Sequence, residues 1–131
     1  MTRFVLDSTA VLHLASAGTK IRASHKLLAP TLLRSQTLSL LHEAVQRGEI
    51  PADVARERLA RIGRMPIRLL GDAVLRRRAW DLADQLGWAS TYSAEYVALT
   101  QLQADAFVTL DAELARSVKG IVATASIDAL R

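Results

Sequence analysis

Cysteine is absent from this 131-residue chain, which excludes a disulfide framework and a thiolate-bound zinc. Glycine is sparse: the six glycines are scattered and form neither a phosphate-cradling loop nor a dinucleotide fingerprint. Long apolar runs are missing too. No stretch approaches the ~18 residues of a membrane span, so no membrane partner is expected. The opening Met1-Thr2-Arg3-Phe4-Val5-Leu6-Asp7 meets an acid before a signal-peptide core can form, and a cytoplasmic protein is expected. The three histidines, His13, His25 and His42, share no ligand spacing and have no cysteine to pair with. Ser8 and Ser93 lack a nucleophile-elbow context, so Ser-His-Asp hydrolysis has no support.

What is present is a chain half hydrophobic and long enough for one domain with a real core, residues 1–131 without a linker or repeat. Lys and Arg outnumber Asp and Glu by 17 to 13, a formal charge of +4. Arginine carries nearly all of it; the lysines are Lys20, Lys26 and Lys119. Such a surface attracts nucleic acid or an acidic protein, although arginine-rich coding bias also explains so small an excess. The cluster Arg76-Arg77-Arg78 falls on a predicted helix and spreads around its circumference, which reads as a solvated face.

Short apolar runs bounded by Gly, Pro, Asp or Ser predict strands over Arg3–Leu6, Lys26–Ala29, Ile67–Leu70, Ala106–Leu110 and Ile121–Thr124. Helical spacing covers Thr31–Gln46, Ala52–Ile62, Asp72–Leu86, Thr91–Leu102 and Asp111–Val118. In the second of these Val54, Leu59 and Ile62 are expected inward, and Pro30 reads as the entry signal of the first. The alternation predicts an α/β fold: a mostly parallel five-stranded sheet with helices on both faces.

Two aspartates stand out in that frame. Asp7 follows the first strand and Asp111 the fourth, so both belong at the carboxyl edge of a parallel sheet, where open α/β folds place ligands. Two carboxylates meeting there suit a hard divalent cation and phosphodiester chemistry. Each also precedes a predicted helix, where aspartate is a favoured N-cap. Both readings stay open on these residues alone.

Five segments, in order, resemble one known family. Val5-Leu6-Asp7-Ser8-Thr9-Ala10-Val11-Leu12 resembles the first strand, metal-binding aspartate and hydroxyl-bearing turn of PIN domains. Ala29-Pro30-Thr31-Leu32-Leu33 is similar to the approach to their second acid, and Asp72-Ala73-Val74-Leu75 through Ala79-Trp80-Asp81-Leu82-Ala83 to the helix before their third. Thr91-Tyr92-Ser93-Ala94-Glu95-Tyr96-Val97-Ala98-Leu99 resembles their Tyr-Asp-Ala-x-Tyr-x-Ala-Leu helix, and Phe107-Val108-Thr109-Leu110-Asp111-Ala112-Glu113-Leu114-Ala115 their valine-threonine-x-aspartate strand exit. Chain length also resembles that of VapC-type toxins.

The resemblance implies a PIN-like three-layer sandwich and a Mg2+- or Mn2+-dependent endoribonuclease of a toxin–antitoxin pair. It implies RNA as substrate, a cognate antitoxin as partner and a homodimer. Asp7 and Asp111 match the catalytic, metal-binding acids, while the other two acidic positions hold Gln36 and Ser93. Thr9, in the turn after Asp7, and Glu113, just past Asp111, are accessory candidates. Glu95 should face away from the site, Glu43 shares a face with Gln36 but lies roughly 10 Å further along the helix axis, and Asp105 belongs at the opposite edge of the sheet. Two functional expectations follow. One is a nuclease with a weakened metal site; the other is a non-catalytic protein that keeps the fold and binds an antitoxin or RNA.

Overall fold

A computed structural model describes all of residues 1–131. Five strands, β1 (Arg3–Leu6), β2 (Lys26–Pro30), β3 (Ile67–Leu70), β4 (Ala106–Val108) and β5 (Thr124–Ala125), form one sheet in the order β3-β2-β1-β4-β5. Every pairing is parallel. Helices α1 (Ser8–Ala17), α2 (Leu32–Gln46), α3 (Ala52–Arg64), α4 (Ala73–Leu86), α5 (Tyr92–Gln103) and α6 (Ala112–Ser117) connect them, and a short 3-10 turn, Ile127–Leu130, closes the chain.

Right-handed crossovers decide the layers. From β1 the chain steps to β2 and β3 on one side, which puts α1, α2 and α3 on one face of the sheet. It then returns across to β4 and β5, which puts α4, α5 and α6 on the other. α1 packs on α3 and α2 on α3, while α5 lies across β1, β2 and β4 with α4 behind it. The result is a three-layer α/β sandwich.

Strands covered on both faces need apolar residues throughout rather than in alternation. Accordingly Val5 and Leu6 of β1 and Phe107 and Val108 of β4 are fully buried. Against them pack Val11 and Leu14 of α1 and Val97 and Leu99 of α5. In α4 the buried residues Leu75, Ala79, Leu82 and Ala83 follow the helical repeat, and Arg76, Arg77 and Arg78 all face solvent. Gly87 ends that helix in the left-handed region, φ 70°, a conformation that favours glycine.

Three expectations need correction. β2 ends at Pro30, in register with Leu70, rather than at Ala29, and Pro30 still directly precedes Thr31, the cap of α2. In α3 Ala55 is the fully buried residue, and Val54, Leu59 and Ile62 are half-buried, with Ile62 packed against the core as expected. The last strand is Thr124–Ala125 rather than Ile121–Thr124, because the chain first closes a turn on the end of α6. There Ile121 and Val122 both donate their N–H groups to the Val118 carbonyl.

Candidate functional site at the carboxyl edge

β1 and β4 are neighbours, yet the chain leaves them toward opposite faces, β1 into α1 and β4 into α6. This is the switch point of the sheet, where the two outgoing loops part and leave a crevice. Asp7 and Asp111 stand at these two strand exits as the N-cap residues of α1 and α6. Asp7 takes the Ala10 N–H at 3.1 Å, and Asp111 takes the Leu114 N–H at 3.0 Å. Both aspartates therefore cap the helices that follow them.

Thr109 joins the two. Its hydroxyl donates to Asp7 Oδ2, and its oxygen accepts the Asp111 N–H at 3.1 Å. Thr9 mirrors it: its hydroxyl donates to Asp7 Oδ1 at 2.6 Å, and its oxygen accepts the Leu110 N–H at 2.9 Å. β4 stops at Val108 for this reason, because the next backbone groups turn to threonine hydroxyls instead of a neighbouring strand. The predicted extension to Leu110 is thereby corrected. Asp7 is buried, at 5% exposure, and both its oxygens accept hydrogen bonds from within the chain.

The remaining predicted positions divide into two groups. Ser93 lies with Asp111 and Glu113 around a cavity of about 400 Å3, beside Trp88 and Ser90. Gln36 lies on the other side, at the second turn of α2, where its Oε1 accepts the Tyr96 hydroxyl proton at 2.6 Å. That side-chain carbonyl is thus engaged within the chain. Tyr96 is buried, and its phenol is pushed above the ordinary tyrosine range, by burial first and then by the charges of Asp7 and Glu95. Asp105 sits at the opposite edge, as expected, accepting the Arg3 N–H at 2.8 Å.

Thr109 and the Gln36–Tyr96 pair were missed as site features by sequence reasoning. A hydroxyl two residues before Asp111 was a visible signal for Thr109, since such side chains readily bond backbone N–H groups two residues on. Nothing local in the sequence pairs Gln36 with Tyr96, which are 60 residues apart.

The donor set bears directly on a metal centre. Nowhere do three or more His, Cys, Asp or Glu side chains converge as a cation cage. Two acids flank the crevice, and Asp7 is occupied by hydroxyl and N–H donors. A two-ion centre does not fit, since the charges of the cations would stand uncompensated. A single Mg2+ or Mn2+ keeps most of its waters and needs only one or two carboxylates, and Asp7 and Asp111 are the acids at the two strand exits.

No family model matches the chain, and no curated protein matches it. Among solved structures, the crystal structure of PAE2754 from Pyrobaculum aerophilum is similar with a TM-score of 0.76. The likeness spans 98% of this chain and 93% of that one at 21% identity, and what it establishes is a shared fold.

Proposed function

We propose that this protein is a VapC-type member of the PIN family that acts on RNA at the Asp7–Asp111 crevice, with a weakened requirement-bearing metal site. The observation that carries the reading is that Asp7 and Asp111 stand at the exits of the neighbouring strands β1 and β4, tied through Thr109. Five ordered segments resembling PIN domains support it. Asp7 and Asp111 would hold one Mg2+ or Mn2+, and that ion would supply charge stabilisation at the scissile phosphate. Thr9 and Thr109 hold the Asp7 carboxylate in one orientation, so the acid need not reorganise when substrate arrives. Ser93 and Glu113 border the adjoining cavity, where flanking nucleotides would lie. A cognate antitoxin and a second copy of the chain are the partners that this reading carries with it.

A specific observation favours a second reading, an inert relative that binds RNA or an antitoxin without cutting. Two of four acidic positions are neutral, and the amide oxygen at one of them is bonded to Tyr96. The two readings separate in one assay. Purified protein is incubated with structured RNA in Mg2+ or Mn2+, with and without chelator, beside Asp7→Asn and Asp111→Asn. Metal-dependent cleavage lost in both variants supports the nuclease. RNA retained on the protein but uncut, with equal binding in the presence of chelator, supports the inert relative.

A further inference from the structure

A second concave site lies at the opposite, amino-terminal edge of the sheet. Its cavity of about 680 Å3 is walled by Arg3, Arg22, Lys26, Arg61, Arg64 and Arg68, and no aspartate or glutamate lines it. Six of the chain's 17 basic residues thus line one hollow, and the acids nearest them, Glu57 and Asp105, lie outside its lining. The chain's small net charge hides this separation.

Strand register makes the clustering specific. Arg3 of β1 stands directly beside Lys26 of β2. Lys26 and Leu28 share a face of the sheet, and Leu28 is in register with Arg68 of β3. Three adjacent strands therefore present three cations on one face. Arg61 and Arg64 reach Glu57, at 3.4 Å and 3.6 Å, but Arg3, Lys26 and Arg68 have no ion-pair partner. Like charges set side by side across a sheet oppose folding, and a bound anion would offset that cost. On the same wall His25, held edge-on to Phe4 with ring centres 5.0 Å apart, has a buried Nδ1 without a hydrogen-bond partner. An orphaned buried nitrogen is a further sign of an incomplete polar network.

The shape narrows the ligand. The volume falls in the ~300–1,000 Å3 range of small-molecule sites, and Ile21, Leu27 and Met65 give the hollow an apolar floor. Guanidinium forks match phosphate oxygens two at a time; Arg22 and Arg61 are partly engaged by the Arg131 and Ala15 carbonyls, and the cations left on one sheet face, Arg3, Lys26 and Arg68, suit linked phosphates better than a single carboxylate. We propose that this cavity binds a compact polyphosphate, a chain of linked phosphate groups either free or as the tail of a nucleotide. The site stands apart from the Asp7–Asp111 crevice and does not rest on the nuclease reading.

Calorimetry at low salt with the full chain tests this, using inorganic tripolyphosphate, a nucleoside triphosphate and a single-stranded RNA oligonucleotide. One-to-one binding of tripolyphosphate or of the nucleotide is expected, weakened about tenfold or more in the triple variant Arg3→Gln, Lys26→Gln, Arg68→Gln, by loss of charge-assisted contacts. Asp111→Asn should leave it unchanged. Equal affinity for both phosphate ligands assigns the free chain, and tighter nucleotide binding assigns the nucleotide. Arg3, Lys26 and Arg68 are exposed, so the variant should fold; if circular dichroism shows otherwise, Lys26→Gln and Arg68→Gln are measured singly and each should weaken binding. Absence of binding by both phosphate ligands overturns the proposal, as does unchanged binding in the variants. Binding of the RNA alone also overturns it, in favour of a nucleic-acid surface.

Discussion

Thr109 gives its hydroxyl proton to the buried carboxylate of Asp7, across 102 residues of chain, while its own oxygen holds the Asp111 N–H. One short side chain thereby fixes the relative position of both strand exits. Replacing Thr109 with valine keeps the shape and deletes both bonds. The loss should be about 1–3 kcal/mol, since a buried charged acceptor and a backbone donor each lose a partner. Urea denaturation measures it, and Thr109→Ser should recover most of the difference. A valine variant as stable as the parent would show that the bridge contributes nothing net.

Tyr96 ties the same region to α2 through Gln36. Its phenol sits above the ordinary tyrosine range because burial and the nearby charges of Asp7 and Glu95 disfavour the phenolate. The sign follows directly. The unfolded chain releases this proton near the ordinary value of 10.0, the folded chain holds it longer, and stability falls as pH rises through that window. In a Tyr92→Phe background, which leaves Tyr96 as the remaining tyrosine, ultraviolet titration should show its ionisation coinciding with alkaline unfolding. A smooth titration at the ordinary value, with the fold intact, would contradict the buried geometry.

Glu95 was expected to face away from the crevice, and it is half-buried, with its carboxyl raised above the ordinary 4.5 by desolvation. A raised carboxyl favours the protonated fold, so its contribution is present at low pH and lost as pH rises through the shifted value. Glu95→Gln removes that penalty. The variant should melt higher than the parent at about pH 7, and the two should converge below the ordinary glutamate value. Equal melting temperatures at both pH values would place Glu95 in full solvent.

The fold was legible because its signals are local. Asp7 before Ser8–Ala17 and Asp111 before Ala112–Ser117 carry cap chemistry, and Val5-Leu6 and Phe107-Val108 carry the unbroken apolarity of strands buried on both faces. The edge β5 was misplaced because Ile121 and Val122 are as apolar as a strand but are spent on the turn that closes α6. The acids of the crevice were visible for the same reason as the fold, since each stands at a strand exit. Long-range polar pairing was not. Thr9 and Thr109 lie 100 residues apart and Gln36 and Tyr96 lie 60 apart, and no periodicity couples such positions. The basic hollow escaped for a related reason. Arg3, Lys26 and Arg68 are isolated cations in sequence, and only the parallel register gathers them.

The neutral residues at positions 36 and 93 make the last expectation the sharpest. With Asp7 and Asp111 as the acids of the crevice, Mn2+ should bind the parent chain only weakly, because hard-cation affinity follows the number of charged oxygen ligands. Gln36→Glu and Ser93→Asp together would raise the acid count from two to four. Glutamate at position 36 would still accept the Tyr96 hydroxyl with one oxygen, leaving the other for an ion. Calorimetric titration should then show Mn2+ binding tighter by about tenfold or more, and a further Asp7→Asn change should abolish the gain. The same double variant should melt lower than the parent in chelator, from the added carboxylate repulsion, and recover on adding Mn2+ as binding favours the folded state. If affinity and melting temperature are indifferent to the added acids, positions 36 and 93 do not face the ion that Asp7 and Asp111 would share, and the four-cornered site is wrong.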